Sequence, residues 1–326
     1  MKQKKLWIAL LCVFTVGAIA FIGLSILNVT TSGQAEETTS AGEYYIEGEV
    51  TYDAAGEEIA DVVSNNVKGT TFPDGIKEEF KNAYAINNKL VGWLTIPGTE
   101  MDTAVVQWND NSHYLTKDFY ERTTGETSST NYGNIYLDYR CDSGETISKN
   151  MVIHGHTTGR STGIYKQAFR SLYDYKKKEA FMENPIIKYS TLYEEYTYKI
   201  CAVFLSTTEP SSDNGYFLNY IYPDMSESNM VGYIEQVKQR MLYETGVSLE
   251  PTDKIITLST CTYDYGKSVD TRLVVVARLL HDGEDESIDT SLVKDNPDYR
   301  RPQIWYNSNG KTNPYKDTEK WYPSAD

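Results

Sequence analysis

The chain has 326 residues, of which 40% are hydrophobic and 24% are charged, and its formal net charge is −15. This composition is typical of a globular protein with one sizeable core or two small ones. The strong negative charge argues against nucleic acid and against anionic lipid headgroups as partners, because an acidic surface repels both.

The amino terminus has the pattern of a membrane anchor. Three lysines within residues 1–5 precede an uncharged, mostly apolar run over residues 6–29, which is long enough to cross a bilayer as a helix. A cleavable signal peptide is the alternative, with a weak cleavage site near residues 32–35. Lysines before the span and acids after it predict a single-pass cell-membrane protein with residues 1–5 in the cytoplasm and the remainder outside.

The extracellular part divides into three segments by composition. Residues 30–70 are rich in Thr, Ser, Glu and Gly, which predicts a stalk. Residues 71–280 hold the apolar runs of a folded catalytic domain, and this domain begins with a predicted amino-terminal helix at helical apolar spacing. Residues 281–326 form an acidic and aromatic C-terminal extension, either a strap on the domain or a mobile tail.

Eight short β-rich runs follow one another within the folded domain. They are VGWLTI, TAVVQW, GNIYLDY, NMVIHGH, PIIKYST, EYTYKICAVF, DKIITLSTC and TRLVVVARLL. A mostly-β chain with this many strands favours a closed eight-stranded barrel, because closure removes exposed strand edges. Two helices interrupt the strands, a short one over residues 171–184 and a longer one, Ser226–Gly246, before the last pair of strands.

The four cysteines do not form the pattern of a disulfide framework. Cys12 lies in the predicted span, and Cys141, Cys201 and Cys261 are widely spaced. Cys201 lies in an apolar strand and reads as a small buried hydrophobe. Cys141 opens a turn and reads as a free thiol, although a bridge between Cys141 and Cys201 stays open as an alternative.

Cys261 differs from the other cysteines because it lies where a core strand ends. Strand alternation puts it on one face with Ile255, Thr257 and Ser259, and the segment TYDYGKS that follows is turn-forming. A thiol at a strand end beside a loop can meet a substrate, whereas a thiol inside a strand is usually inert. We also expect Ser259 and Thr260, which precede the thiol, to contact the substrate.

A nucleophilic cysteine needs a partner that favours its thiolate, most often a histidine. His113 and His281 lie in polar and acidic segments and read as solvated. His156 follows an apolar strand and therefore also lies at a strand end. An alternative is that His154, His156 and Cys261 form part of a metal site, although zinc sites usually have more acid or cysteine at tighter spacing.

Arg272 opens the strand that follows Cys261. A guanidinium at a strand end next to the thiol can donate two hydrogen bonds to the oxyanion of a tetrahedral intermediate. The alternative role is an ion pair with Asp264 or Asp270. Arg278 lies deeper along the same strand and reads as structural.

These motifs together resemble class B sortases, the cysteine transpeptidases of the Gram-positive cell surface. The resemblance rests on TLSTC followed by TRLVVVARL, on MVIHGH upstream, on the amino-terminal span and on a helix before the cysteine strand. It implies a sortase-type eight-stranded closed barrel with an N-terminal helix and that inserted helix, no cofactor, and the independence from calcium that most class B members have. It also implies that His156 is the catalytic histidine, Cys261 the nucleophile and Arg272 the oxyanion-binding arginine.

The resemblance further implies a reaction. Cys261 attacks the threonine carbonyl of a C-terminal sorting signal of the NPxTN kind, which cleaves the signal after threonine and forms a thioester. An amine of a lipid II-type peptidoglycan precursor then attacks this thioester. A pilin-polymerising enzyme with a lysine acceptor, a thiol peptidase and a catalytically silent binding barrel are the alternatives. His154 and residues 281–326 depart from the family pattern, so their roles stay open.

Overall fold

The computed structural model describes residues 69–121, 133–157 and 169–324. The predicted span over residues 6–29 and nearly all of the predicted stalk lie outside these ranges. Within the described ranges, no helix is both long and apolar enough to cross a bilayer. The anchor, its orientation and the domain boundaries therefore stay predictions.

The predicted closed barrel of eight strands is confirmed. The strands follow one another around it in the order β1-β2-β3-β4-β8-β9-β6-β5. They are β1 (Leu90–Thr95), β2 (Asp102–Val106), β3 (Tyr136–Leu137), β4 (Asn150–Gly155), β5 (Ile186–Thr191), β6 (Glu195–Thr207), β8 (Ile255–Thr262) and β9 (Thr271–Leu279). Two further short strands, β7 (Tyr243–Glu244) and β10 (Lys294–Asp295), pair outside the barrel.

Strand alternation divides the apolar residues of β8 and β9 between two cores, which explains why both strands are apolar almost throughout. Leu258 and Val275 point into the barrel. Val274 and Val276 point outwards into a second core. The outer face of these strands is therefore covered by the second core.

Four α-helices and four 3₁₀ helices are present among the described residues. The α-helices are α1 (Glu78–Ile86), α2 (Lys178–Glu183), α3 (Glu227–Arg240) and α4 (Gln303–Ser308), and the 3₁₀ helices are His113–Leu115, Phe169–Lys176, Pro210–Asp213 and Thr290–Leu292. The predicted amino-terminal helix is α1, and the predicted helix before the cysteine strand is α3. The outer core packs on the apolar stripe of α3, where Met230, Ile234 and Val237 are buried.

Two predicted helices have different bounds in the structure. The first, over residues 171–184, is a 3₁₀ helix followed by α2, because Lys177 between them is extended with φ −110° and ψ 134°. The second ends at Arg240 rather than Gly246. Leu242 donates its backbone N–H to the carbonyl of Val203 at 2.8 Å, so the chain leaves the helix to pair with strands.

The C-terminal extension packs on α3. Of the two predicted alternatives, a strap and a mobile tail, residues up to 324 form the strap. The ring of Trp321 lies 5.7 Å from that of Tyr233. Gln236 donates to the carbonyl of Glu319 at 3.0 Å, and the N–H of Ser324 donates to the Asn229 side chain at 2.9 Å. Apolar contact and backbone hydrogen bonds together hold the extension against the helix.

Candidate active site

Strand register brings the three predicted catalytic residues to one end of three neighbouring strands. In the parallel pair of β4 and β8, Gly155 is opposite Thr260, so His156 and Cys261 are the next residues along. In the antiparallel pair of β8 and β9, Cys261 is directly opposite Arg272. Directly opposed residues point to the same face of a sheet, so the thiol and the guanidinium share one face.

All three described cysteines are free, but the Cys261 thiol is half-buried, whereas Cys141 and Cys201 are buried. Burial raises the pKa of Cys261, Arg272 lowers it in opposition, and Asp270 adds a smaller increase. Burial also raises the pKa of Cys141 and of Cys201 to about 12. Cys261 is therefore the described thiol that is both accessible and next to a cation, the conditions that make a cysteine reactive.

Cys141 and Cys201 are both free, as predicted, so the alternative of a bridge between them is excluded. Cys141 accepts a hydrogen bond from the N–H of Val152 and donates to the carbonyl of Asn150, each at 3.4 Å. Cys201 donates to the carbonyl of Val276 at 3.4 Å. Each of these thiols therefore packs as a small buried group.

Arg272 forms an ion pair with Asp270, one of the two partners considered from the sequence. Its Nη1 also donates to the carbonyl of Thr271 at 3.3 Å, and its Nη2 donates to Asp270 at 3.2 Å. A guanidinium has five N–H donors. These contacts leave the Nε–H and the second Nη2–H for another acceptor, so the ion pair orients the guanidinium without consuming it.

The charge of Arg272 is secure in this setting. Burial lowers the pKa of Arg272, but the hydrogen bond to Asp270 and the proximity of Cys261 and Tyr220 raise it overall. The carboxylate of Asp270 is in turn held by the hydroxyl of Thr208. The site therefore keeps a permanent cation opposite the thiol.

His156 lies at the end of β4 with its ring held by another part of the chain. Its Nε2 is 2.9 Å from the carbonyl oxygen of Leu115, and no hydrogen bond joins this described ring to Cys261. The next residue, Thr157, donates to the carbonyl of Cys261 and lies 2.8 Å from the hydroxyl of Thr260. Catalytic hydrogen bonds often tighten only when substrate binds, so this geometry is compatible with a role for His156.

The two residues predicted to contact substrate are both buried. Ser259 is 3% exposed, and its hydroxyl lies 3.0 Å from that of Tyr220. Thr260 is 1% exposed and donates its hydroxyl to the carbonyl of Gly155 at 2.8 Å. Both hydroxyls thus join neighbouring parts of the structure.

Two tyrosines that the sequence did not indicate lie within electrostatic range of Cys261 and Arg272. Burial raises the pKa of Tyr220 to about 12, and both Arg272 and Cys261 act on its charge. Burial also raises the pKa of Tyr136, which feels the same two residues. Neither tyrosine has a spacing that relates it to TLSTC, because each comes from a different segment of the chain.

The ring of His154 is held by a buried carboxylate. Its Nε2 lies 3.1 Å from Asp138, which also binds Arg140 through two hydrogen bonds of 2.8 Å. These bonds hold the pKa of Asp138 well below its usual range, although burial acts in the opposite direction. Among the described residues, no group of three or more His, Cys, Asp or Glu side chains could hold a metal.

Comparison with known proteins agrees with this geometry. The sortase domain family matches residues 94–280, more than half of the chain. Sortase B of Listeria monocytogenes is 29% identical over 68% of this chain and 79% of its own length. Sortase B of Staphylococcus aureus is 27% identical over 63% of this chain and 76% of its own length.

A solved structure shows the same fold. The Staphylococcus aureus sortase B–substrate complex superimposes with a TM-score of 0.52, covers 68% of this chain and 94% of that chain, and has 24% sequence identity. The barrel and its relatives define a cysteine transpeptidase. The chain belongs to the sortase family, and its relatives place it in class B.

Proposed function

We propose that Cys261, His156 and Arg272 are the nucleophile, the general acid–base and the oxyanion-binding group of this transpeptidase. The observation that carries the proposal is the register that puts Cys261 opposite Arg272 and one residue past the end of the β4 pairing that leads to His156. Rigid strand ends fix these groups better than a free loop would, and such positioning accounts for a large part of enzymatic rate enhancement.

The first half of the reaction forms a thioester. The Cys261 sulfur attacks the carbonyl carbon of the threonine in the sorting signal, while its proton passes to His156. The developing oxyanion accepts hydrogen bonds from the Nε–H and Nη2–H of Arg272, the donors that Asp270 leaves free. The C–N bond then breaks, and the leaving amine takes the proton from His156.

The second half transfers the acyl group. An acceptor amine attacks the thioester carbonyl, His156 takes a proton from that amine, and the thiol leaves as a thiolate that recovers a proton. We propose a sorting signal of the NPxTN kind and an amine of a lipid II-type peptidoglycan precursor as the two substrates. The support for both is class membership, together with the substrate complex of a similar sortase B.

The experiment that tests the transfer uses one peptide and one amine. A fluorogenic NPxTN peptide is incubated with the enzyme, with and without an added oligoglycine, and the products are identified by mass spectrometry. A transpeptidase gives the amine-joined product when the amine is present. Hydrolysis products alone, at unchanged rate with the amine, would assign the chain to the thiol peptidases instead.

The same assay separates the substrate alternatives. An LPxTG peptide serves as the matched control, and preference for it by a clear margin in kcat/KM would overturn the proposed signal. Lysine-containing pilin peptides replace oligoglycine in a third arm. Efficient transfer to lysine would favour the pilin-polymerising alternative.

The proposed location follows from the sequence alone. We propose a single-pass anchor over residues 6–29, with residues 1–5 in the cytoplasm and the catalytic domain outside. The protein should then stay with membranes after an alkaline wash. Recovery of a soluble form that begins near residue 35 would instead indicate cleavage of a signal peptide.

A further inference from the structure

A small polar cleft lies where the C-terminal extension meets the end of α3. Ser206 at the end of β6 and Tyr216 line it on the barrel side, and Arg240 and Arg300 line it from α3 and from the extension. The cleft has space for about one water-sized group. Because Ser206 is opposite Arg272 in the strand register, the cleft lies one strand away from the proposed oxyanion-binding arginine.

Two guanidiniums enter this cleft with donors to spare. Arg240 and Arg300 are each 4% exposed. Arg240 uses its Nη1 on the carbonyl and side chain of Gln236, at 2.9 and 3.0 Å, and Arg300 uses its Nη1 on Gln239 at 3.2 Å. The Nη2 of Arg240 and the Nε of Arg300 are buried and have no partner.

The local charge is not balanced. Asp213 is the one acidic side chain that lines the cleft among the described residues, and its Oδ2 is 3.7 Å from Arg300. Its Oδ1 accepts a hydrogen bond from the backbone of Gln303 at 2.9 Å. Two buried guanidiniums therefore line the cleft with one carboxylate.

The Arg240 guanidinium stays charged at neutral pH. Burial and the charge of Arg300 lower the pKa of Arg240 to about 10, which is still well above neutral pH. A buried charged donor without a partner is costly, and a water molecule supplies a hydrogen bond but no opposite charge. An anion supplies both.

We propose that this cleft binds one small monovalent anion, a chloride ion or the carboxylate of a molecule the size of formate, between the Nη2 of Arg240 and the Nε of Arg300. The small cleft favours such an anion over phosphate and sulfate, which are larger. The bound anion joins a residue of α3 to a residue of the extension. It therefore fastens the strap to the helix, a role separate from transpeptidation.

The first test measures the melting temperature of the full chain in sodium gluconate, whose anion is too large for the cleft. Chloride or formate replaces gluconate at constant ionic strength. We expect a saturable rise in Tm of about 2–5 °C with at least one of the two anions, as for a ligand that binds only the folded state. A response to chloride alone defines a halide site, and a response to formate defines a carboxylate site.

Matched variants locate the site. Arg300→Gln removes one charge and the free donor, and it should abolish the saturable rise. Arg301→Gln is the control, because the Arg301 guanidinium lies over the ring of Tyr299 at 3.7 Å, outside the cleft. A rise that survives Arg300→Gln, or that Arg301→Gln removes equally, would overturn the proposal.

A direct measurement keeps the proposal testable if Arg300→Gln does not fold. Chloride-35 NMR of the unmodified chain should show line broadening that saturates with chloride, and formate should reverse it if formate also raises Tm. Arg240→Gln serves as the second variant and should remove this broadening. Broadening that never saturates, with a Tm that responds to neither anion, would show that the cleft holds water only.

Discussion

The two ends of β9 each carry an arginine on the same face, and they differ in what surrounds the guanidinium. At one end Glu284 binds Arg278 through two hydrogen bonds of 2.6 and 2.7 Å, and the Arg278 side chain is only 4% exposed. At the other end the Arg272 side chain is 23% exposed and keeps free donors beside Cys261. One strand thus carries one arginine that is paired by a carboxylate at its buried end and one that keeps free donors opposite a thiol.

The comparison teaches that unused donors next to a thiol distinguish the arginine that we propose for oxyanion binding. Arg278 also donates to the carbonyl of Ser248 at 2.9 Å and to that of Leu279 at 3.2 Å, so most of its N–H donors are occupied. Lys199 shares Glu284 at 2.7 Å. At this end of the strand the donors of Arg278 and Lys199 are therefore bound by Glu284, which lies at the start of the C-terminal extension.

The largest effect is expected at the thiol. Cys261→Ala should abolish turnover, because the first bond of the reaction forms at its sulfur. Cys141→Ser and Cys201→Ser place hydroxyls in buried sites and should lower stability while the correctly folded fraction keeps its chemistry. Peptide cleavage assays normalised to folded protein check this. Loss of activity in folded Cys141→Ser protein would contradict the assignment of Cys261.

The next effect separates the two arginines. Arg272→Lys keeps the charge but loses the planar fork, so we expect kcat/KM to fall by a factor equivalent to about 2–4 kcal/mol. Arg278→Lys should leave kcat/KM unchanged and lower the free energy of unfolding by about 1–3 kcal/mol. Kinetics and urea denaturation of both variants test the contrast. Equal kinetic losses at the two positions would refute it.

The third prediction concerns the pH dependence of thiol alkylation. Burial raises the pKa of Cys261 above its ordinary value of 9.0, so its reaction with iodoacetamide should accelerate as pH rises through the alkaline range. Arg272 lowers this pKa and Asp270 raises it. The midpoint should therefore move up in Arg272→Gln and down in Asp270→Asn. Midpoints that move in the opposite directions would show that these charges do not act on the thiol.

The smallest effect is expected at the Arg278 end of β9. Hydrogen bonds from Arg278, and then from Lys199, hold the pKa of Glu284 far below its ordinary value of 4.5, although burial opposes them. A lowered folded-state pKa stabilises the protein above pH 4.5 and loses this contribution as pH falls. Glu284→Gln should flatten the acid limb of the stability curve, measured by urea denaturation. Glu286→Gln, at an exposed site, is the control and should not change it.

The fold was predictable because its signals are local. Eight apolar runs bounded by turns predicted the barrel strands, and the turn after Cys261 predicted that the thiol lies at a strand end. The pairing of Cys261 with Arg272 follows from the short connection between two adjacent strands. Asp270 could be considered as a partner for the same reason, since it lies two residues away along the chain.

The remaining features depend on contacts between distant segments. Tyr220 reaches Ser259 across 39 residues, and His156 reaches Leu115 across 41 residues. The carboxyl end of α3 was misplaced because strand pairing by Leu242 overrides the helical pattern. The periodicity of a single sequence does not encode contacts between distant segments. The packing of the extension on α3 could therefore not be predicted from the sequence.

The most direct test of the account is to identify the residue that carries the acyl intermediate. The enzyme is mixed with a sorting-signal peptide, quenched in acid and digested, and the modified residue is located by mass spectrometry. We predict an adduct on Cys261 with the mass of the peptide up to its threonine, released by hydroxylamine as a thioester would be. An adduct on any other residue would contradict the account. Turnover without a detectable adduct, in both the unmodified enzyme and the slowed Arg272→Lys enzyme, would contradict it too.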